Sequence, residues 1–374
     1  MIVTLDRDAL VKAMTRLARV VERRTTVPII QNVLIETTDG GIMLKATDLD
    51  LEIRDTVYCD ISQAGSLTVA ATTLLDIGRK LPLGAQIELQ TDNDSTQLVV
   101  RSGRSRFRLN TLPADNFPSM DAGQTPHEFT LACSDLKRLV DKTQFAISTE
   151  EVRYYLNGIY LHHAEDALDG AGALRAVATD GHRLAMFDLP LPEGAGEMPG
   201  VIIPRKTVAE IFKLADDSET VGITLSSSKI CLTFGGVTLV SKLIDGTFPD
   251  YRRVIPQGND RTLVLETGEF TRAIDRVSSI SSERGRAAKL TLCNTEDVTI
   301  NTINPDAGSA SETITAEFTG EAVTIGFNHK YLIDIANHVE GKKMRMEIGG
   351  SSSPAVIRSE TETAELFVLM PMMV

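Results

Sequence analysis

The chain has 374 residues, 42% of them apolar, and carries 51 acidic against 38 basic side chains for a net charge of −13 at pH 7. That length exceeds one ordinary core and predicts two or three domains, while the acidic balance, taken alone, argues against a polyanionic partner. Cys59, Cys133, Cys231 and Cys293 are far apart with no C-x-x-C pair, which excludes a zinc ribbon and a disulfide framework and reads as buried free thiol. The start lacks the basic and apolar regions of a signal peptide, and no run reaches the ~18 apolar residues of a membrane span, so the expectation is a cytoplasmic protein.

In chain order the sequence reads as one module written three times. Each copy opens with a short strand and an amphipathic helix. In the first, Leu10, Ala13, Met14, Leu17 and Val20/Val21 recur at helical spacing behind Asp6, an N-cap. Ser134 is the expected cap in the second, ahead of Leu136, Leu139, Val140 and Thr143; the third has Phe270, Ala273, Ile274 and Val277. Strand-like runs follow at 31–36 and 42–46, at 157–161 and 174–178, and at 289–293 and 298–302. A further strand then leads into a second helix in each copy, carrying Leu74, Leu75, Ile77 and Leu81, then Val208, Ile211, Phe212 and Leu214, then Leu332, Ile333, Ile335 and Val339. Three strands close each copy, with Phe117-Pro118 and Phe248-Pro249 marking the exits. Helices on one face of antiparallel sheet, in three α+β domains at 1–126, 127–257 and 258–374, is the predicted architecture.

Placing the charges changes what the acidic balance means. Lys12, Arg16, Arg19 and Arg23 are spaced to share the helix face opposite the apolar stripe, with Arg24 after them. Lys137, Arg138 and Lys142 stand on the second copy's first helix, and Arg272, Arg276, Arg284 and Arg286 on or after the third's. Arg79, Lys80, Arg205, Lys206 and Lys330 belong to the other helices. Acidic residues gather in loops such as Asp92-Asn-Asp94, Glu165-Asp166 and Asp216-Asp-Ser-Glu219. A basic helical face with acid on the loops suits a polyanion admitted to one surface and repelled by the others.

One stretch departs from the repeat. Ala178-Thr-Asp-Gly-His-Arg-Leu184 is turn chemistry between two apolar strands. Its counterparts, Ala46-Thr47-Asp48-Leu49 and Asn301-Thr302-Ile303-Asn304, lack the His and the Arg, so this is a site added to one copy. His182 as a general base oriented by Asp180 has no recognisable nucleophile beside it. The chain contains no G-x-x-x-x-G-K-[ST] and no H-E-x-x-H. His162-His163 point to opposite faces of a strand and read as a solvated hairpin rather than a metal site. The expectation is no catalysis, no metal and no cofactor. An adaptor that binds peptides but no DNA accommodates the added site and leaves the basic helices unexplained.

Five motifs now fall in one order: Arg101-Ser-Gly-Arg-Ser-Arg-Phe107, Glu151-Val-Arg-Tyr-Tyr-Leu-Asn-Gly158, Ala178-Thr-Asp-Gly-His-Arg-Leu184, Lys242-Leu-Ile-Asp-Gly-Thr-Phe-Pro-Asp-Tyr-Arg-Arg-Val254 and Val368-Leu-Met-Pro-Met372. With the threefold repeat they make the whole chain resemble the bacterial DNA sliding clamps, the beta subunits of replicative DNA polymerase III. The resemblance implies a head-to-tail homodimer that rings double-stranded DNA, slides on it and is nucleoid-associated. It further implies tethering, through short linear motifs, of the replicative polymerase's catalytic subunit, the clamp loader, translesion polymerases and mismatch-repair proteins. Residue by residue it implies a peptide pocket of Leu156, Thr179, Gly181, His182, Arg183, Leu184, Pro249, Val254, Asn328, Tyr331, Val368, Leu369, Met370, Pro371 and Met372. It implies DNA contacts at Arg24, Tyr154, Tyr155, Arg205 and Lys206, and subunit contacts joining Phe107 and Leu109 to Arg276 and Ile280. Glu150 stands where the family often has a polar amide, Thr72-Thr73 where relatives have a basic pair, and Met373 where many have Arg.

Overall fold

Each copy begins with a strand that runs straight into a helix. In the first, Ile2–Asp6 (β1) leads into Arg7–Leu17 (α1), followed by Asn32–Thr38 (β2), Gly41–Thr47 (β3), Leu51–Tyr58 (β4), Asp60–Gln63 (β5), Ser66–Ala70 (β6), Ala71–Lys80 (α2), Gln86–Thr91 (β7), Gln97–Ser102 (β8) and Ser105–Leu112 (β9). The second runs His127–Ala132 (β10), Cys133–Gln144 (α3), Gly158–Ala164 (β11), Ala173–Thr179 (β12), Arg183–Pro190 (β13), Val201–Pro204 (β14), Arg205–Leu214 (α4), Thr220–Leu225 (β15), Lys229–Phe234 (β16) and Val237–Lys242 (β17). The third runs Arg261–Glu266 (β18), Thr267–Ser278 (α5), Ala287–Leu292 (β19), Asp297–Asn304 (β20), Gly308–Thr319 (β21), Val323–Asn328 (β22), His329–His338 (α6), Lys343–Ile348 (β23), Ala355–Ser359 (β24) and Glu365–Leu369 (β25). Among the described strands and α-helices, β5 alone breaks the repeat. This computed structural model describes every residue except Arg23, 93–95, Ala122, Gln124, Asp166, Leu168, Asp169, 282–285, Asn294, Thr295, Thr363 and Val374. Arg23 and Arg284 of the basic runs, and Asn93, Asp94 and Asp166 of the acidic loops, therefore lie outside the described residues.

The strands form two antiparallel sheets, one in each of two compact units. Residues 1–132 and 217–243 make the first unit, and 133–216 and 244–374 the second. In the first, the sheet order is β10-β15-β16-β17-β4-β3-β2-β6-β9-β8-β7-β1-β5; in the second it is β14-β11-β12-β13-β25-β24-β23-β18-β21-β20-β19-β22. Within the first unit the last strand of copy two, β17, pairs with β4 of copy one; within the second, β25 of copy three pairs with β13 of copy two. The same join is thus made twice.

Apolar spacing accounts for the helices. Leu10, Ala13, Met14 and Leu17 of α1, Leu136, Leu139, Val140 and Thr143 of α3, and Phe270, Ala273, Ile274 and Val277 of α5 are all buried. The stripes face sheet: α1 packs on β3 and β4, α3 on β11, β12 and β13, and α5 on β20 and β21. Asp6 caps α1 by accepting from the N–H groups of Asp8 and Ala9, at 2.8 and 3.1 Å, which satisfies donors a helix start leaves open.

Five expectations fail for physical reasons. Ser134 is not a cap, because α3 starts at Cys133 and encloses it. In copy three the strand runs on to Asn304, so the turn lies three residues beyond Asn301, with Asn304 accepting from the N–H of Asp306 at 3.0 Å. Arg16 does not join an exposed basic face: it is buried, donating to Asp55 at 2.6 Å and to Asp217 at 3.0 Å. Lys142 is likewise buried against Glu365, 2.7 Å away, while Arg138 meets Glu340 and Glu362, and Arg276 meets Glu312. Buried or paired cations project little field, and acidic residues far away in sequence fold back onto the helices. Cys293 is exposed and Cys59 and Cys231 are half-buried, leaving only Cys133 in a core; all four are free thiols. Finally, His162 is buried instead of solvated, its Nδ1 on the His163 carbonyl at 2.7 Å and its Nε2 on the Tyr251 hydroxyl at 3.0 Å.

Candidate functional site

The turn Thr179–Arg183 between β12 and β13 holds its shape with its own polar groups. Asp180 accepts from the N–H groups of His182 and Arg183 at 2.9 and 3.0 Å. The Thr179 hydroxyl donates to the Arg183 carbonyl at 2.7 Å and accepts from the Gly181 N–H at 3.1 Å. Gly181 has φ +88°, a conformation a side chain resists, and a Cβ there would meet Arg153 Nη1 at 2.5 Å. Asp180 accepts from the backbone and the Arg183 side chain, so it is not the group that orients the His182 imidazole.

Arg183 points inward. It donates to Asp180, to Asp334 on α6 and to the Phe145 carbonyl, and its guanidinium lies 4.4 Å from the Tyr331 ring centre and 5.2 Å from that of Phe145. Such cation–π contacts are favourable where water is excluded. Tyr331 in turn stacks beside the exposed His182 ring, centroids 6.2 Å apart; burial pushes the Tyr331 hydroxyl's pKa up. Asn328 caps α6, accepting from the Lys330 N–H at 3.0 Å.

Beneath the turn lies an apolar cluster of Leu156, Val177, Leu184, Met186, Ile202, Phe248, Tyr251, Val356, Leu366 and Val368. Register brings its halves together, with Leu184 opposite Val368 and Arg183 opposite Leu369 across the β13–β25 pair. The chain's end continues from this strand. Met370 donates its N–H to the His182 carbonyl at 2.9 Å, and Met372 to the Gly326 carbonyl at 2.8 Å. Met370, Met372 and Val254 are 41%, 36% and 47% exposed, whereas Leu156, Leu184, Val368 and Leu369 are buried. Exposed apolar side chains a few residues along the chain from cluster members Tyr251 and Val368 make a candidate binding surface.

The opposite wall is fixed from below. Val254 ends a 3-10 turn, Tyr251–Val254, just after Phe248 and the exposed Pro249. The Tyr251 hydroxyl accepts from Arg175 at 3.3 Å and meets His162, while Arg175 holds Asp188 through two bonds of 2.6 and 2.7 Å. Burial lowers the pKa of His162.

The sequence reading thus names residues that one unit brings to one neighbourhood: the turn, the tail, Tyr331 and the Pro249–Val254 wall. It assigns Arg183, Thr179 and Asn328 to the lining; the Arg183 guanidinium and the Thr179 hydroxyl bond within the fold, and Asn328 Oδ1 caps α6. It misses Asp334, Phe145, Arg175 and Tyr251, whose partners are distant in sequence, and Arg153, which lay in view within a quoted motif. Of the other candidates, Arg24 and Arg205 are exposed, Tyr154 is 52% exposed and Tyr155 half-buried, with Lys206 second in α4. Phe107 and Leu109 alternate with exposed Arg106 and Arg108 on β9; Arg276 is exposed and Ile280 half-buried at the end of α5. Among the described residues no group of three metal-ligating side chains comes together, and no helix is long and apolar enough to cross a membrane.

Comparison with known proteins identifies the family. Models of the DNA polymerase III beta subunit match along the chain: the N-terminal domain at 1–121, the central domain at 130–250 and the C-terminal domain at 252–373. The chain is 43% identical over 372 residues to the beta sliding clamp of Caulobacter vibrioides, and 35% over 371 residues to that of Escherichia coli, covering 99% of both chains in each case. A sliding clamp from Bartonella birtlesii solved bound to griselimycin superposes with a TM-score of 0.96 at 48% identity, and one from Caulobacter crescentus with 0.95 at 43%, each covering 100% of both chains. Three tandem clamp domains with this site define a DNA clamp. The chain belongs to the DNA polymerase III beta subunit family, and its function is that of a DNA sliding clamp, acting with DNA and a DNA polymerase.

Proposed function

We propose that the chain works as a non-catalytic, ring-shaped homodimer that encircles duplex DNA and tethers partner proteins through one peptide pocket per chain. The observation that carries the tethering role is a buried apolar cluster with exposed Val254, Met370 and Met372 a few residues along the chain from its members Tyr251 and Val368, beside a turn whose own polar groups are already satisfied. Apolar side chains of a flexible peptide gain there, each by roughly 1.5–3 kcal/mol if fully buried. Leu156, Thr179, Gly181, His182, Arg183, Leu184, Pro249, Val254, Asn328, Tyr331, Val368, Leu369, Met370, Pro371 and Met372 form or support the pocket. Its ligands are short linear motifs of the replicative polymerase, the clamp loader, translesion polymerases and mismatch-repair proteins.

The domains of this reading are 1–126, 127–257 and 258–374. Closure into a dimer follows from the repeat: β17 pairs with β4 and β25 with β13, and by the same rule β9 pairs with β21 of a second chain. Among the described residues, strand pairing joins 105–110 of β9 only to β8 and 308–315 of β21 only to β20, which leaves two free edges, each a template for another strand. Phe107 and Leu109 then meet Arg276 and Ile280 of the other subunit, a heterologous contact closed by a two-fold axis. Arg24, Tyr154, Tyr155, Arg205 and Lys206 make weak phosphate contacts that permit sliding, and the protein is nucleoid-associated in the cytoplasm.

The test is topological. Clamp loaded on nicked circular DNA should survive a high-salt wash and be lost when the circle is cut; equal loss from circular and linear DNA would contradict encirclement. Arg24→Ala with Arg205→Ala and Lys206→Ala should lower loading while leaving dimerisation intact.

A further inference from the structure

Beside the turn, Glu150 and Arg153 form a fork. Glu150 Oε2 accepts from Arg153 Nε at 2.9 Å and Oε1 from Nη2 at 2.7 Å, and Nη2 also donates to the Asp180 carbonyl at 3.2 Å. The guanidinium lies against Gly181, where the turn's missing Cβ leaves room. The carboxylate is itself held in place: the Glu150 carbonyl accepts from the Asn157 side chain at 3.0 Å and its N–H donates to Ser148 Oγ at 3.2 Å. Both side chains remain partly open to solvent, at 35% for Arg153 and 54% for Glu150.

A two-point fork is the geometry in which arginine recognises a carboxylate. Here a side chain of the same protein occupies it, next to exposed His182 and the tail. We infer that Glu150 is a specificity-determining residue that fills the Arg153 fork in place of a ligand carboxylate, so that the pocket favours peptides with a neutral side chain opposite Gly181 over peptides with an acidic one. An acidic peptide residue at that position has to displace Glu150 from Arg153 and then lie beside a displaced like charge. The Arg153 hydrogen bond holds the Glu150 carboxyl below its ordinary pKa, so the fork stays filled at neutral pH. This inference rests on the pocket proposed above.

The test uses the full chain and an apolar pentapeptide of Leu, Met and Phe carrying a fluorescent label, with one Asp or one Asn walked through its five positions. Binding is read by polarisation, with griselimycin as competitor because relatives of this chain were solved bound to it. At one position the unaltered protein should bind the Asn peptide about 2- to 5-fold more tightly than the Asp peptide, the range expected of a solvent-reachable ion pair. Glu150→Gln should abolish or reverse that preference, and Arg153→Gln should enlarge it, because the carboxylate then stands without its counter-ion. A purely structural role would move both peptides equally in both variants. Equal binding of Asp and Asn peptides at every position, or a preference that Glu150→Gln leaves unchanged, overturns the inference while leaving the pocket standing. If no peptide is displaced by griselimycin, the pocket itself is wrong and the inference falls with it. Glu150→Gln changes an exposed side chain, so that variant alone decides the matter should Arg153→Gln misfold.

Discussion

Two turns in this chain share one backbone design and differ in use. In the first unit, Asp48 accepts from the N–H groups of Asp50 and Leu51 at 2.9 and 2.7 Å, the Leu49 N–H reaches Thr47 Oγ1 at 2.9 Å, and Leu49 has φ +79°. In the second, Asp180, Gly181 and Thr179 do the same with φ +88° at Gly181. Even the join repeats: Lys242 donates its N–H to the Asp50 carbonyl at 2.9 Å just as Met370 does to that of His182. The side chains then diverge. Register places Glu52 in copy one where Leu184 stands in copy two, and Arg54 where Met186 stands. Glu52 is fully buried, paired with Arg54 at 2.6 Å and accepting from the Met120 N–H at 2.9 Å, so the exit segment is bonded down over the position. In copy two the same position belongs to an apolar cluster, and the adjoining strand ends in a short tail with exposed methionines. A repeat supplies the scaffold; what stands beside the turn is a buried ion pair in one copy and an apolar cluster in the other.

The largest expected effect comes from writing copy one's chemistry into copy two. Leu184→Glu buries a charge without a partner and should destabilise the chain by about 3–5 kcal/mol in urea unfolding, the usual cost of an uncompensated buried charge. Adding Met186→Arg should recover much of that stability but none of the peptide affinity. Recovery of both would mean that the apolar floor is not what binds. Next in size is the tail. Deleting 370–374 removes three exposed methionines and the bonds to His182 and Gly326, and should weaken peptide binding about 10- to 100-fold, near the worth of one buried apolar side chain, with the dimer unchanged by light scattering.

Much of this contrast was legible in the sequence. Helical spacing found the first-helix stripes because the period is a local property, although Val20 and Val21 lie beyond the end of α1, and the shared Thr-Asp turn marked both sites while His182 and Arg183 marked one. The rest depended on partners remote in the chain. Arg16 has the spacing of a surface cation, and nothing near it announces Asp55 or Asp217. His162 looks like half of a hairpin pair until Tyr251, 89 positions away, takes its Nε2. Lys142 likewise owes its burial to Glu365.

Smaller effects sharpen the comparison further. Leu49→Gly should stabilise the first unit by up to ~1 kcal/mol, since a side chain at positive φ costs about 1–2 kcal/mol and glycine's flexibility returns part of it; Leu49 is 41% exposed and loses little burial. A destabilised variant in thermal unfolding would mean that Leu49 packs against something of value. The smallest effect is one of pH. His162 has a lowered pKa from burial, so its contribution to stability is present above the unfolded value of ~6.5 and is lost as pH falls through the folded one. Unfolding measured between pH 7 and 5 should show the second unit weakening, and His162→Gln should flatten that slope.

The most direct measurement is calorimetric titration of the intact protein with two unrelated partner peptides, one from a polymerase and one from a clamp loader, singly and then in competition. One site per chain, with each peptide fully displacing the other, is the predicted result, because the turn at Thr179–Arg183 adjoins an apolar cluster, whereas buried Glu52, paired with Arg54, follows the turn at Thr47–Leu51. Two sites per chain, or both peptides bound to one subunit at once, would show that the turn at Thr47–Leu51 is open as well and contradict the single pocket.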